Sequence, residues 1–282
     1  MAKKKSKSYK LFYKKLAKTI IRQPAVILMF IVPIILMEAW IAGGFSRLID
    51  QSTEPGSLEG VQTLPQSPVL VAPPPLPELL WQGPVRSVII PPNTTPVLYK
   101  IPISEPVVFL SIDDGWTKTA DAQEWLTLHR LPFSLFLTND AIKSDYGYFQ
   151  KLQAAGATIE NHTLHHPRLN RLSLAHQQTE ICGAADAYER VFGRRPILFR
   201  PPYGLMNDTT IQAAGACGMR AIVMWHAAVE NGAIQYQEGD HLLPGDIVLM
   251  HFHSSMKADL QVFLNQVQRD HLQIGRLEDW LK

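Results

Sequence analysis

Cysteine is scarce in this 282-residue sequence, which contains only Cys182 and Cys217. Two cysteines cannot build the disulfide framework of a small secreted domain, and without a Cys-x-x-Cys spacing they do not indicate a zinc knuckle. They could pair outside the cell, but no feature of the sequence places them together, so the prediction is two buried free thiols. Charged residues are also few, at 18%, against 46% hydrophobic residues. This composition excludes a disordered or collagen-like chain.

Acidic residues are absent from the first 22 positions, which hold eight lysines and Arg22. The formal net charge of the whole chain is only +2, so the remaining residues together are clearly acidic. A nucleic-acid binder usually has its basic charge on the folded domain. The charge distribution therefore argues against nucleic acid as a partner.

A long apolar segment follows the basic one. Residues 25–45 contain one charge, Glu38, and a helix of this length spans roughly 30 Å, the thickness of a bilayer core. We predict a basic cytoplasmic segment at 1–24, a single-pass transmembrane signal anchor at 25–45, and an extracytoplasmic location for the rest. A cleaved signal peptide with an apolar core at 25–37 is the alternative. A buried core helix is disfavoured by the one-sided charge.

Proline is concentrated directly after this segment, with 13 of the 21 prolines between residues 55 and 106. Such a stretch favours extended polyproline conformations over helix or central strand. We predict a Pro-rich extracytoplasmic linker at 46–104. Two parts of it, 85–90 and 97–103, could pack as an edge strand on the domain that follows.

Strand and helix patterns alternate in the remaining domain, 105–282. The predicted strands are 107–112, 133–137, 157–160, 196–199, 220–224 and 246–250, and the predicted helices are 119–131, 148–155, 174–192, 209–216, 258–269 and 277–281. Repeated β-α units imply a parallel sheet with right-handed crossovers. The domain is short for a complete eight-fold barrel, so the fold class is α/β with a distorted or incomplete (β/α) barrel. An open doubly wound sheet is the alternative.

Polar side chains follow two of the early predicted strands, which is where sites form in parallel α/β folds. Asp113 and Asp114 are adjacent carboxylates, which repel each other unless a cation or a proton intervenes. His162 and His166 are four residues apart, so one helical turn would put both imidazoles on one side. Two histidines and one carboxylate form an open site suited to hydrolytic zinc or to an iron oxygenase. An Asp-Gly turn and an incidental histidine pair are the metal-free alternatives.

Two later strands also end in polar residues. Arg200 precedes Pro201 and Pro202, which stiffen the loop and fix the backbone N–H of Tyr203. The planar fork of an arginine can hold a carboxylate in one orientation. His251 ends the last predicted strand and could donate a proton. An ordinary Pro-rich loop and a buried core histidine are the alternatives.

Taken in order, the motifs Asp-Asp-Gly, His-Thr-x-x-His-Pro, Arg-x-Pro-Tyr and Leu-x-His resemble those of the polysaccharide deacetylases with the NodB-homology domain, carbohydrate esterase family four. The resemblance covers about residues 105–282. It implies a distorted (β/α) barrel, a divalent metal that is usually zinc, and removal of acetyl from N-acetylated sugar polymers or from acetylated xylan. Carried over by position, the implied metal ligands are Asp114, His162 and His166, and the implied reacting groups are Asp113 as general base, Arg200 to orient it, the Tyr203 N–H for the oxyanion and His251 as general acid.

Two positions depart from the family pattern. Asn231 and Gly232 stand where the family has Asp-Trp, whose Asp supports the catalytic histidine; Glu230 could substitute for it. An amide can orient an imidazole but cannot stabilise an imidazolium as a carboxylate does. Trp116 stands where the family usually has proline, and it could stack on a sugar or pack in the core.

The function that we expect is removal of N-acetyl groups from a cell-envelope polysaccharide by a membrane-tethered, metal-dependent enzyme. Peptidoglycan is the leading candidate substrate, because a short linker holds the domain near the membrane. A glycan-binding relative with little turnover is the alternative, motivated by the altered fourth motif. An iron-dependent oxidoreductase on the same three ligands is a weaker third reading.

Overall fold

The structure is a computed structural model that describes residues 77–282. The predicted cytoplasmic segment, the predicted anchor and residues 46–76 of the predicted linker lie outside the described residues. In the part that is described, no helix combines the length and the apolar character that crossing a bilayer requires.

A ten-stranded sheet forms the centre of the domain. Its strands are β1 (Val97–Leu98), β2 (Val107–Asp114), β3 (Phe133–Leu137), β4 (Thr158–Asn161), β5 (Leu198–Phe199), β6 (Ala221–Val223), β7 (Ala227–Glu230), β8 (Ala233–Tyr236), β9 (Ile247–His251) and β10 (Gln273–Ile274). They are ordered β1-β6-β5-β4-β3-β2-β9-β7-β8, and β10 pairs with β2. Among these strands all pairs are parallel except the β7–β8 hairpin.

The strands from β2 to β6 follow one another in space as they do along the chain. Right-handed crossovers that all step in one direction put their helices on one face of the sheet, whereas a doubly wound sheet reverses direction and covers both faces. The domain is therefore an α/β half-barrel, and the doubly wound alternative is wrong. The helices are α1 (Ala120–His129), α2 (Asn139–Ile142), α3 (Tyr146–Ala154), α4 (Leu174–Phe192), α5 (Asp208–Ala216) and α6 (Met256–Arg269).

The side chains of β2 alternate between two cores. Val108, Leu110 and Ile112 pack with the helices, whereas Val107 and Phe109 belong to a second core on the other face. Successive strand residues point to opposite faces. Asp113 therefore lies on the same face of β2 as Val107 and Phe109, at the carboxyl end of the strand.

Helix α4 begins and ends where the sequence predicts. The side chain of Ser173 accepts a hydrogen bond from the His176 N–H at its start, and Gly193 closes its end in the left-handed conformation. Both are standard capping signals that can be recognised locally. By contrast, the predicted C-terminal helix is a 3-10 turn at Leu277–Trp280.

Part of the segment predicted as linker packs on the domain. The Val88 N–H donates to the Trp280 carbonyl and the Lys282 N–H donates to the Val88 carbonyl. Val97–Leu98 pairs with β6 as the edge strand β1. Trp81 packs on Trp280 with ring centroids 6.0 Å apart. Residues 77–104 thus cover the second core, which contains Val107 and Phe109, with apolar side chains despite their many prolines.

Cys182 and Cys217 form a disulfide, with Cα atoms 4.9 Å apart. The prediction of free thiols is wrong. The two cysteines are separated by 35 positions, and only the packing of α4 against α5 brings them together. Sequence spacing carries no signal of that packing.

Two carboxyl groups are buried below the carboxyl edge of the sheet. Glu160 accepts hydrogen bonds from the Arg194 guanidinium at 2.9 Å and from the Leu198 N–H at 2.7 Å. Glu278 accepts the Ser134 hydroxyl at 2.7 Å, while its second oxygen is buried without a hydrogen-bond partner among the described residues. Burial raises the pKa of Glu160 to about 8 and also raises the pKa of Glu278.

The buried Glu278 predicts a pH dependence of stability. The unfolded chain ionises this group near its ordinary pKa of 4.5, whereas the folded chain retains the proton at higher pH. The free energy of unfolding therefore falls as the pH rises above the ordinary pKa and through the raised one. We expect Glu278→Gln to lose less stability than the wild type as the pH rises above the ordinary pKa of 4.5, measured by urea unfolding at a series of pH values. Glu124→Gln on the exposed face of α1 should retain the wild-type change of the free energy of unfolding with pH. The same change in Glu278→Gln as in the wild type would contradict the prediction.

Candidate metal centre and active site

The carboxyl ends of neighbouring parallel strands bring the predicted site residues to one edge of the sheet. Asp113 lies opposite His251 in the β2–β9 register. His162 directly follows β4, and Arg200 directly follows β5, which pairs with β4. Residues up to 138 positions apart in sequence thus share one edge because parallel strands end together.

Asp114, His162 and His166 converge. Each offers one ligand atom, and these three atoms lie within 4.8 Å of one another. The Asp114 Oδ1 atom is 3.5 Å from the His162 Nε2 atom and 3.2 Å from the His166 Nε2 atom. Ligands about 2.0–2.2 Å from a tetrahedral metal are roughly 3.3–3.6 Å apart. The spacing therefore fits a single metal ion.

The donor chemistry also fits a divalent cation. The contact between Asp114 and His166 lacks the alignment of a hydrogen bond, so Asp114 Oδ1 is buried with no such partner among the described residues. Burial alone raises the pKa of Asp114, but the contact with His166 and the nearby charge of His162 outweigh it and lower the pKa. Burial lowers the pKa of His162 despite Asp113 and Asp114. Both shifts favour the forms that bind a metal, the carboxylate of Asp114 and the neutral imidazole of His162.

Backbone groups orient the first of these histidines. The His162 Nδ1 atom lies 2.7 Å from the carbonyl oxygen of Arg200. If this nitrogen carries the proton, Nε2 is left with a lone pair directed at Asp114. The sequence had no signal for this contact, because it joins the loops after β4 and β5.

Arg200 holds Asp113 by a fully buried ion pair. Arg200 Nη1 donates to Asp113 Oδ1 at 2.6 Å, and Nη2 donates to the Ser111 hydroxyl at 2.9 Å. The remaining bonds go from Nε to the Val223 carbonyl and from Nη2 to the Met224 carbonyl. Neither the guanidinium nor the carboxylate can turn without leaving a buried group unpaired. One oxygen of Asp113 is therefore held by Arg200, and the other is 3.9 Å from His162 Nε2.

Tyr203 lies beside the metal ligands in a left-handed backbone conformation, with φ of 60°. Its ring packs edge-on against His166, with centroids 4.6 Å apart, and the Arg168 guanidinium lies 5.3 Å from its centroid. Its side chain remains 48% exposed. The Pro201–Pro202 turn thus places both the ring and the backbone of Tyr203 at the site.

His251 lies at the carboxyl end of β9 with partial exposure. It is near enough for its charge to lower the pKa of Asp114. Within residues 77–282 its side chain makes no hydrogen bond or ion pair. The carboxylate that supports this histidine in the family pattern therefore has no counterpart here.

The altered fourth motif forms a tight hairpin turn. Asn231 and Gly232 have φ of 54° and 77° and connect β7 to β8, as expected for a two-residue turn with positive φ at both positions. Glu230 is exposed and makes no ion pair in the described chain, so nothing supports the expectation that it replaces the missing aspartate. This hairpin was not predicted from the sequence, although Asn-Gly is a typical signal for a two-residue hairpin turn.

Another histidine–carboxylate pair, which was not predicted from the sequence, begins two residues after His251. His253 Nε2 is 3.0 Å from Asp259 Oδ2, although the two are not aligned as a hydrogen bond. The other oxygen of Asp259 accepts the Gly232 N–H at 2.6 Å. Asp259 is completely buried on α6, and an acidic residue on the buried face of an amphipathic helix is the signal that could have found it.

Trp116 follows Asp114 by two residues, so their Cα atoms lie within about 7 Å. It is 54% exposed, and within the described chain its ring packs on no other aromatic ring or hydrophobic core. The Cβ of any side chain at Gly115 would clash with Ile142 and Phe149, so the turn is restricted to glycine and directs the following residue outward. Core packing, the alternative for Trp116, is therefore wrong.

The chain is similar to known proteins in sequence and in fold. The family model for polysaccharide deacetylases matches residues 100–222. An uncharacterized protein of Streptomyces coelicolor is 38% identical over 192 residues, which cover 66% of this chain and 77% of that protein. The peptidoglycan-N-acetylmuramic acid deacetylase PdaA of Bacillus subtilis is 26% identical over 167 residues, covering 55% of this chain and 63% of PdaA. The chain thus spans less than two thirds of PdaA.

Solved structures share the fold. The structure of PdaA, a family 4 carbohydrate esterase, matches with a TM-score of 0.57 at 19% identity, covering 71% of this chain and 95% of that one. A family 4 pseudoenzyme from Bacillus anthracis matches with a TM-score of 0.55 at 20% identity, covering 62% of this chain and 65% of that one. At such identities the likeness shows the fold alone. The family model shows more: through residues 100–222 this chain belongs to the polysaccharide deacetylase family.

Proposed function

We propose that this chain is a metal-dependent hydrolase that removes N-acetyl groups from a cell-envelope polysaccharide containing N-acetylglucosamine, with peptidoglycan as the leading candidate. The observation that carries the proposal is the convergence of Asp114, His162 and His166 beside an Asp113 held by Arg200. Members of the family are generally metal-dependent, and zinc suits two imidazoles and one carboxylate.

The residues around the three ligands have separate tasks in this proposal. A bound zinc would polarise the amide carbonyl and make water a nucleophile near neutral pH. Asp113 accepts the proton of the attacking water through the oxygen that Arg200 does not hold. The Tyr203 N–H stabilises the negative charge that develops on the carbonyl oxygen. His251 donates a proton to the leaving amine, which otherwise leaves poorly.

Peptidoglycan is proposed on two grounds. PdaA, the Bacillus subtilis relative, acts on peptidoglycan N-acetylmuramic acid. The predicted anchor at 25–45 would hold the domain close to the membrane and to the cell envelope. Which amino sugar of the polymer is deacetylated is left to the measurement below.

The reaction predicts release of acetate that depends on named side chains. We expect Asp113→Asn and His251→Ala each to lower the rate of acetate release from N-acetylated oligosaccharides by about 10²–10⁴-fold, because each removes one proton transfer. Mass spectrometry of zinc-loaded protein with candidate glycans measures the loss of acetyl. His253→Ala, which alters a neighbouring histidine outside the proposed machinery, is the matched control and should retain most of the rate. Full activity in His251→Ala would contradict its role as the acid.

A second candidate function is glycan binding with little turnover. It is favoured by the geometry of His251, because within the described residues no carboxylate forms a hydrogen bond or an ion pair that would hold its imidazole in one orientation. The same experiment separates the two functions. Binding of oligosaccharide without acetate release, in wild type as in Asp113→Asn, would support the binding protein.

The exposed Trp116 predicts how the glycan is held. The apolar C–H face of a pyranose ring packs well on an indole, because the contact removes apolar surface of both from water. We expect Trp116→Ala to raise KM for an oligosaccharide about three- to tenfold while kcat changes less than twofold, and Trp116→Phe to recover part of the loss. Leu128→Ala, an exposed apolar residue on α1, should leave both constants unchanged. An unchanged KM in Trp116→Ala would exclude stacking.

The proposed location is the cell membrane, with the catalytic domain outside the cytoplasm. The Cys182–Cys217 disulfide supports it, because disulfides persist mainly in oxidising compartments. Both native cysteines are engaged in that bond, so a cysteine introduced at Gly60 would be the only free thiol. We expect a membrane-impermeant maleimide to label it in intact cells. Labelling that occurs only after lysis would place this segment inside the cell.

A further inference from the structure

The loop that carries the two histidine ligands is held in an unfavourable backbone conformation. Thr163 has φ of 77° and His166 has φ of 58°. A left-handed conformation is rare for residues other than glycine and is a clear outlier for a β-branched residue. Such conformations persist only where surrounding contacts enforce them. The 162–166 loop must therefore be held by groups outside it.

One turn of α4, the Glu180–Gly183 turn, supplies many of those contacts. Glu180 Oε2 accepts the backbone N–H of His165 at 2.9 Å, and Glu180 Oε1 lies 2.7 Å from the His165 ring. The Glu180 carbonyl accepts the Leu164 N–H at 3.1 Å. The Ile181 carbonyl accepts the Asn161 amide at 2.8 Å. Four contacts thus join two consecutive helical residues to Leu164 and His165 of the loop and to Asn161, which directly precedes it.

The same turn is packed closely against the loop. A Cβ atom at Gly183 would lie 2.6 Å from Leu164 Cδ1, so Leu164 occupies the space that a side chain at 183 would need. Cys182 is bonded to Cys217 at the end of α5. The turn is therefore fixed on one side by the disulfide and on the other by Leu164.

The contact with the loop backbone distinguishes Glu180 from the other acidic residues of α4. Asp186 and Glu189 pair with Arg195 at the exposed surface, where ion pairs contribute little. The Glu180 side chain is only 13% exposed, and one of its oxygens satisfies an amide of the ligand loop. Glu180 therefore stabilises the loop by accepting a hydrogen bond from its backbone, and not only by pairing with a charged side chain.

We propose that Glu180 is a positioning residue that holds the 162–166 loop in the conformation bringing His162 and His166 to Asp114, and that the Cys182–Cys217 disulfide anchors the turn of α4 that carries it. The consequence for metal affinity rests on the proposed metal site. The consequence for the loop itself does not, because the contacts are present without any metal.

The experiment compares Glu180→Ala, Glu180→Gln and Glu189→Ala in the purified full-length chain. Hydrogen–deuterium exchange of the metal-free proteins measures how well the loop is ordered. Competition for zinc alone with a chromophoric chelator measures the zinc affinity of the site. We expect Glu180→Ala to speed exchange of the His165 amide at least tenfold and to weaken zinc binding about 10- to 100-fold, the usual effect of losing a group that orients a metal ligand. Glu180→Gln keeps an acceptor oxygen and should recover most of both. Glu189→Ala, on the same helix, should match the wild type.

The outcomes are distinguishable. Unchanged exchange in Glu180→Ala overturns the proposal, and so does faster exchange with unchanged zinc affinity. A wild type that binds no zinc, with a loop that loosens in Glu180→Ala, would leave Glu180 as the residue that orders the loop and would refute the proposed metal function. Thermal unfolding of each variant shows whether the change is local, since a purely structural role would lower the melting temperature without selecting the loop.

The disulfide is tested by the double variant Cys182→Ala/Cys217→Ala, which avoids introducing thiols that bind zinc. We expect it to speed exchange of the same loop and to weaken zinc binding severalfold, less than Glu180→Ala because the Glu180 contacts remain. Loop exchange and zinc affinity equal to those of the wild type would remove the disulfide from the proposal.

Discussion

The buried ion pair between Arg200 and Asp113 is the constraint on which the rest of the site depends. Arg200 is completely buried, and its donors go to Asp113, to Ser111 and to two carbonyls at the end of β6. A charged pair removed from water is stable only when its remaining hydrogen-bonding groups are satisfied. The pair therefore ties β2, β5 and β6 together and fixes the orientation of one carboxylate. The position of the adjacent carboxylate, Asp114, is fixed as well, because the two are consecutive residues at the end of one strand.

Backbone strain is concentrated around the same edge of the sheet. Asp114, Thr163, His166 and Tyr203 all have positive φ, although none is glycine. Unfavourable conformations of this kind are maintained by contacts from neighbouring elements, and here those elements are α2, α4 and the turn after β5. The Thr163 carbonyl accepts the Asn139 N–H, and the His165 N–H is held by Glu180. The fold thus supplies through tertiary contacts what the local sequence of the loops disfavours.

Much of this could be predicted from the chain alone, for identifiable reasons. Buried parallel strands such as β3 are mostly apolar, and α4 has recognisable caps at Ser173 and Gly193. The site residues lie directly after strands, so the rule that parallel strands end together predicts their meeting. The Cys182–Cys217 disulfide was not predicted, because it depends on which helices become neighbours. The β7–β8 hairpin and the burial of Asp259 did have local signals, the Asn231-Gly232 turn and an acidic residue on the apolar face of an amphipathic helix, but these signals were not used.

The order and chemistry of the amino acids determined the α/β class, the family and the seven candidate site residues, because strand periodicity and motif spacing are local properties of a chain. The tertiary structure decided the remaining questions. It brought the ligand atoms of Asp114, His162 and His166 within 4.8 Å of one another, left His251 without a carboxylate partner among the described residues, and exposed Trp116 beside the site. These are distances and exposures between segments far apart in sequence. They arise only when the sheet curls and the helices pack on one face, and no local pattern encodes them.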